Sequence, residues 1–379
     1  MLECQDLRVQ AFPGVACVPR PSWDALFENA IGGWAFCKAG EAAPPAGFDL
    51  SAIGVYRGTE LVAAAQLFRT SHRLDMSLPA PLRACGEWVF RHAPTFIDLP
   101  VMGIGSPLSD RCHVGFARGL SPGERAQVWQ ALLEGFEREA RDRGAHVFVV
   151  KDLGDDDLAW AQPALGRAHF AALSSLPVAV LDLPFARIED YLANLSSRMR
   201  SDLRRKLRQA AGKVRFEVCE SCSGLSRQLG RLYESTRARR RADLGEYDAL
   251  SPDYLDSTLR ALGHNARLTL AWIGEELASF DLCLIAPDRV IAHQIGMRYP
   301  LAREYNLYFL NWMRVVHFCI DHGVRRLEMG QTAYLQKRRL GCRLEKSWIY
   351  FKHWCRPING IMRVAAPLAA FNKMEPGAV

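Results

Sequence analysis

The second half of this 379-residue chain gathers side chains that could move protons and hold anions. His293 lies in the run VIAHQIGMRY (290–299), where strand alternation turns His293 and Ile295 to one face and Gln294 to the other. An imidazole there could take a proton from a nucleophile near neutral pH, or could be a histidine satisfied within the fold. Glu328, in VRRLEMG (324–330), could serve as a base or pair with one of the nearby arginines. Tyr334 could protonate a departing thiolate or alcohol. Lys337 follows three residues later and could clamp a phosphate or carboxylate, with Gln331 and Arg338 close by in sequence. Arg298 and Arg303 precede a helix beginning near Asn306, whose first backbone N–H groups and dipole suit a phosphate. Arg200, Arg204 and Arg208 recur at i, i+4 and i+8, one helical stripe beside the apolar Leu195, Met199, Leu203 and Leu207. A base, an acid and a cationic cradle are the parts that group transfer from an anionic donor needs.

Charge is concentrated where these residues lie. Between Ser196 and Arg215 eight cations face Asp202 alone, a net of +7 that equals the formal excess of the whole chain. Further cations cluster at Arg237, Arg239, Arg240 and Arg241, and at Lys337, Arg338, Arg339, Arg343 and Lys346. An anionic partner is therefore expected in the second half, the bland alternative being a solvated helix face. Aromatic residues are too sparse in the 196–210 stretch for stacking single-stranded bases. Cys219-Glu-Ser-Cys222 has metal-knuckle spacing but no second pair, so no metal is expected. MGIGSP (102–107) lacks the context of a dinucleotide site and reads as a tight loop, and no nucleophile-elbow motif anchors Ser-His-Asp catalysis.

The elements that must position these residues are written twice. IGVYRGTELVAAAQLFR (53–69) and LTLAWIGEELASFDLCLI (268–285) each read as a hairpin turning at a glycine, Gly58 and Gly274. Downstream of each lies an amphipathic helix stopped by a glycine, Gly144 or Gly323, and followed at once by a strand, AHVFVV or VRRLEMG. This order predicts an α/β protein of two similar lobes, each a mixed, mainly antiparallel sheet flanked by helices. The expected division is a first lobe over 1–176, a second over 177–363 with the active site, and a tail over 364–379. The segment IMRVAAPLAAFNKMEPGAV is expected to pack on the second lobe, with contact to a membrane surface as the alternative. At 49% hydrophobic the chain can bury two cores. Its eleven cysteines are scattered and MLECQDLRVQ has no apolar signal segment, so a cytoplasmic location is expected. No window approaches the roughly 18 uninterrupted apolar residues of a membrane span.

The order hairpin, strand, long helix, strand resembles the GNAT acyltransferase core. Its doubled form, with YLANLSSRMRSDLRRKLRQA (191–210) after the first copy and VIAHQIGMRY and the helix near Asn306 in the second, resembles the Fem-type, double-GNAT group. MGQTAYLQKRRLG (329–341) places Tyr334, Lys337 and Gly341 on that group's Y-x-x-K-x-x-x-G pattern. The chain departs from typical GNAT enzymes where their Gln/Arg-x-x-Gly-x-Gly/Ala pyrophosphate loop should follow the fourth strand, for it has MRYPLAREYN there.

The resemblance implies an N-acyltransferase with no permanently bound cofactor. Its co-substrate would be an acyl-CoA or acyl-carrier-protein thioester, the acyl group a fatty chain in one version, and the acceptor an amine of a peptide, amino acid or amino-sugar. From their own chemistry, His293, Glu328 and Tyr334 are the expected catalytic residues. The donor would be held by Lys337, Arg338, Gln331, Arg298, Arg303, Asn306, Arg200 and Arg204. The alternatives are a Fem-like peptidyltransferase that draws on aminoacyl-tRNA, and a basic GNAT-fold binding protein without catalysis.

Overall fold

The computed structural model describes residues 7–27, 31–73, 98–239, 250–251 and 253–366. The first lobe runs β1 (Leu7–Phe12), α1 (Arg20–Asp24), α2 (Trp34–Ala42), β2 (Asp49–Arg57), β3 (Glu60–Arg73), β4 (Asp98–Ile104), β5 (Val114–Phe116), α3 (Pro122–Asp142), β6 (Val147–Gly154), α4 (Leu158–Arg167) and β7 (Ala171–Ser174). The second begins with β8 (Val178–Asp182), α5 (Ile188–Asn194), α6 (Ser197–Ala210), β9 (Arg215–Cys219), α7 (Ser226–Arg237) and α8 (Tyr254–Leu262). It continues through β10 (Ala266–Ile273), β11 (Glu276–Ile285), β12 (Val290–Met297), α9 (Leu301–Glu304), α10 (Leu307–Asp321), β13 (Arg326–Glu328), α11 (Tyr334–Arg339) and β14 (Arg343–Glu345). β15 (Ser347–His353) and α12 (Arg356–Ala365) close the described chain.

Both predicted hairpins form, and they agree in a detail that the sequence pattern does not state. Each shifts register just before its turn, between Val55 and Tyr56 in β2 and between Ala271 and Trp272 in β10. Each then turns through a left-handed glycine, Gly58 at φ 61° and Gly274 at φ 57°. The two long helices end alike as well. After left-handed Gly144 and Gly323, the amides of Ala145 and Val324 donate back to Ala140 O and Cys319 O, both at 2.8 Å.

The first sheet has the order β1-β2-β3-β4-β6-β15-β7, with β5 added on β3, and the second has β14-β8-β13-β12-β11-β10-β9. Pairing is antiparallel except between β4 and β6 and between β12 and β13. β15, from the end of the second half, lies between β6 and β7 of the first sheet. A boundary at 176/177 falls in the turn between β7 and β8, but the first half does not complete its own sheet. The crossing also moves the C-terminal segment from where the sequence placed it. α12 packs along β15, and Asn359 Nδ2 donates to His169 O at 3.0 Å, so the helix sits on the first sheet rather than the second lobe. Residues 367–379 of that segment lie outside the described residues.

β11 shows how the second sheet is covered. Phe280, Leu282 and Leu284 alternate into the core shared with α7 and α8, while Ser279, Asp281 and Cys283 face α10, where Asn311 Nδ2 donates to Ser279 Oγ at 3.2 Å. α2 of the first lobe packs on α8 of the second, so one apolar core runs through both lobes. Among the described residues no helix is long and apolar enough to cross a membrane.

Candidate active site

The central feature of the second sheet is where it opens. β12 and β13 pair only at Val290–Leu327 and Ile291–Glu328, so from Ala292 onward the β13-facing edge of β12 has no strand partner among the described residues. The corresponding pair in the first lobe, β4 and β6, stays joined from Val101 to Ile104, the end of β4. His293 stands at the start of the opening, and strict alternation does not hold there. Cys283 pairs with Ala292 and Leu282 with Gln294, leaving His293 as the extra residue of a β-bulge, a device that re-aims a side chain. The ring meets the Tyr254 hydroxyl at 2.6 Å through Nε2 and lies edge-on to Phe36 of the first lobe, centroids 6.2 Å apart. Burial lowers its pKa to about 4, so the imidazole is neutral at pH 7.

The first lobe brings a second polar pair to the same cleft. His113 Nε2 lies 2.9 Å from Ser109 Oγ and its ring packs edge-on to the other side of the contact at Phe36, 6.3 Å between centroids. Burial, with Arg111 and Arg289 nearby, lowers its pKa to about 4 against the opposing pull of Glu328. His113 also lines a small recess of about 10 Å³ with Phe36, Cys37, Gln66 and Ser106, and the buried Gln66 Oε1 has no hydrogen-bond partner among the described residues. The loop carrying Ser109 and Asp110 presses on the opening itself. A Cβ on Gly330 would come 2.9 Å from Asp110 Oδ2, the end of a side chain that can shift, so it is the φ of 68° that favours glycine there.

On the opposite face lie the elements suited to an anion. Where a glycine-rich loop would join strand to helix, the chain forms the short helix α9, whose own turns engage the amides of Ala302 to Asn306. Asn306 is left-handed (φ 54°) and its side chain caps nothing, while its carbonyl accepts from the amides of Phe309 and Leu310, so only the first amides of α10 are available to an anion. Arg303 is exposed beside it, whereas Arg298, also exposed, pairs with Glu276. α6 lies against α10, with Lys206 Nζ 3.7 Å above the Phe309 ring and bonded to Asp202. Its outward face shows Arg198, Arg204 and Arg208, with no ion-pair partner among the described residues. Arg239 stacks on Tyr299 at 4.2 Å, and Arg240 and Arg241 lie outside the described residues.

Several residues singled out by the sequence are used by the fold instead. Glu328, 3% exposed at its side chain, is bound by Arg111 of the first lobe at 2.9 Å and by Arg289 and Arg326 at 3.0 Å. Burial alone would raise its pKa, but the three guanidiniums more than offset this and lower it, which suits an ion-pair hub and not a base. Tyr334 is fully buried and donates to Pro177 O at 2.8 Å, so its hydroxyl cannot reach a leaving group. Lys337 is also buried. Its ammonium donates to Gln331 O at 2.8 Å and Gly330 O at 3.1 Å, holding a loop in which Gly330, Thr332 and Ala333 all have positive φ. Gln331 donates to Leu176 O at 2.9 Å, and Arg200 caps α5 through Ala193 O at 2.9 Å. Of that group only Arg338 is solvent-exposed. The motif from Tyr334 to Gly341 therefore latches the loop that follows β13, and Gly341 itself is left-handed at φ 96°.

The site also contains residues that sequence reasoning missed. Tyr254, Ser109, Arg111 and His113 carry no diagnostic spacing, and three of them lie in the first half, far from the charge cluster. Tyr254 reaches His293 within the second lobe, and the contact between lobes brings Arg111 to Glu328 and sets His113 and His293 against the same Phe36.

Residues 197–338 match the family model described as an acetyltransferase (GNAT) domain. A search of the curated proteins finds no match. Among solved structures the chain is similar to FemX, with a TM-score of 0.59 at 13% identity over 91% of this chain and 98% of that one. It is also similar to a tandem GNAT protein from the clavulanic acid biosynthesis pathway, with a TM-score of 0.52 at 13% identity over 92% and 98%. At such identities the likeness concerns the fold, and it extends over both lobes. With two hairpin-helix-strand units in tandem and the matched domain in the second, the chain has a tandem GNAT-like fold similar to that of FemX.

Proposed function

We propose that this protein transfers an acyl group from a phosphate-bearing donor to the amine of an acceptor, at the opening between β12 and β13. The observation that carries the reading is the division of the second sheet. Elements suited to an anion, α6 and α10, cover one face, and a desolvated histidine–tyrosine pair stands on the other, with an unpaired strand edge between them. The donor's phosphates lie at the start of α10 and its acyl chain follows the open edge of β12. The acceptor amine approaches from the cleft between lobes, and its nitrogen attacks the acyl carbonyl. The new C–N bond forms as the bond to the carrier breaks, and the proton the amine sheds goes to the His293–Tyr254 pair. His293 contributes the proton acceptor, and Tyr254 positions it.

Among the described residues the first lobe offers no equivalent donor site. The start of α3 is closed by its own capping box, in which Ser121 and Glu124 satisfy each other's backbone amides and Glu124 adds a negative charge where a phosphate would lie. Its part is to supply His113 and Ser109 to the acceptor.

The donor's carrier is a thioester of coenzyme A or of an acidic carrier protein. Because α9 engages its own amides, side-chain cations must meet much of the donor's charge, and α6, which packs on α10, adds exposed Arg204 and Arg208. That stripe favours a larger polyanion and supports aminoacyl-tRNA as the second reading. Native mass spectrometry of the protein from a producing cell, repeated after a high-salt wash, separates them. A retained acyl-thioester or acylated product supports the first reading. RNA that leaves with salt supports the second, since a complex that neutralises about six phosphates loses roughly 10³-fold in affinity between about 50 and 200 mM salt. If Arg204→Ala/Arg208→Ala leaves the KM of either donor unchanged, the α6 cradle is wrong.

A further inference from the structure

We infer that α12 is a membrane-docking helix that lays its outer face on an anionic lipid surface, independently of the reading of the active site. Most surface helices bury their apolar side, but α12 does the reverse. It is pinned to the protein by a polar side chain, buried Asn359, which accepts from His353 N at 3.0 Å and donates to His169 O at 3.0 Å. Half-buried Met362 adds an apolar contact on the same side. The outer side carries Trp354, Ile358, Ile361 and Val364, exposed by 55%, 42%, 71% and 82%. These four account for most of the large apolar side chains exposed among the described residues. Ile358, Ile361 and Val364, three residues apart, share one side of the helix, and Trp354 stands in the bend just before it.

Charge decides what covers the stripe. Arg356 and Arg363 are exposed at either end of the helix, neither has an ion-pair partner among the described residues, and 354–366 contains no acidic residue. A second copy packed on this face would bring arginine to arginine with no carboxylate to meet them. A bilayer rich in anionic headgroups accepts apolar side chains below and guanidiniums at the phosphates, and a tryptophan at the edge of the face suits that boundary. Such docking would hold the protein at the lipid surface without a spanning segment.

The test is co-sedimentation of the full chain with vesicles of phosphatidylcholine alone and of phosphatidylcholine mixed with phosphatidylglycerol. Binding is expected to the mixed vesicles. It should fall at least roughly tenfold in Ile361→Asp/Val364→Asp, because two buried apolar side chains become charges facing like charges. Arg356→Gln/Arg363→Gln should lose the preference for phosphatidylglycerol. Circular dichroism checks that these exposed positions leave the fold intact, and Ile361→Ser is a milder variant if the double one unfolds. Three results overturn the proposal. The wild type fails to bind mixed vesicles; or it is a dimer that Ile361→Asp dissociates, which assigns the face to a second copy; or Phe371→Asp abolishes binding while Ile361→Asp/Val364→Asp does not.

Discussion

Glu328→Gln separates two roles that the sequence left open for this residue. The substitution keeps the shape of a side chain that accepts from Arg111, Arg289 and Arg326 at 2.9–3.0 Å but removes its charge. Breaking one side of a buried ion pair costs about 3–5 kcal/mol, because the partner charges stay buried. Here the lower end is expected, since Glu345 remains beside Arg326 at 2.7 Å and beside Arg111, and the amide oxygen still accepts one hydrogen bond. A loss of about 3 kcal/mol should appear as a lower urea midpoint. A cycle with Arg111→Gln should give a coupling of about 1–3 kcal/mol, which would measure how far this hub ties the lobes together. The pH dependence has a definite sign. The folded-state pKa of Glu328 is depressed, so its contribution is present above the unfolded value and is lost as pH falls through the folded value. The gap between wild type and variant should therefore stay level from about pH 8 to 5 and close below about pH 4. Turnover by the folded variant should fall little. A variant with the wild-type midpoint and turnover reduced by orders of magnitude would refute the hub and restore Glu328 as the base.

The remaining predictions concern the loop latch, a buried acid and the histidine. Lys337→Met removes two charge-assisted hydrogen bonds worth about 1.5–3 kcal/mol each but also a buried charge, so a net loss near 2 kcal/mol is expected in urea, with the donor KM unchanged. An unchanged midpoint with a raised donor KM would return Lys337 to the role of a clamp. Asp281 is buried facing α10, with its pKa raised by desolvation to about 6. Its favourable contribution is thus complete below the unfolded pKa and lost as pH rises through 6. Asp281→Asn should remove a decline of about 3 kcal/mol between about pH 4 and 7 and raise the melting temperature at pH 8; equal pH slopes for the two proteins would contradict this. His293→Gln should lower kcat roughly 10²-fold or more. It should leave the limb of kcat/KM near neutral pH in place, because with a pKa of about 4 His293 does not titrate there and the limb belongs to the acceptor amine. A limb that disappears in His293→Gln would show that the histidine titrates near neutrality in the working enzyme.

Local chemistry made much of this protein legible without coordinates. Glycine stops at Gly144 and Gly323, glycine turns at Gly58 and Gly274 and two-residue alternation gave the repeated unit, since each depends only on neighbours in the chain. The stripe of α6 was equally plain, because helical spacing alone puts Arg204 and Arg208 on the side opposite buried Met199 and Leu203. What local pattern could not state was which polar group meets which. Glu328, Tyr334 and Lys337 looked like chemistry because they are ionisable or hydroxylic and close together, yet each is satisfied by partners that sequence distance conceals, among them Arg111 and Pro177. The bulge at His293 depends on pairing with β11, the opening beyond Ile291 on divergence from β13, and the exchange of β15 on the docking of two lobes. Periodicity is a property of adjacent residues and survives in the sequence. Desolvation, ion pairing and strand order belong to segments brought together from afar, so the tertiary structure alone decided which of the many polar side chains were left free to act.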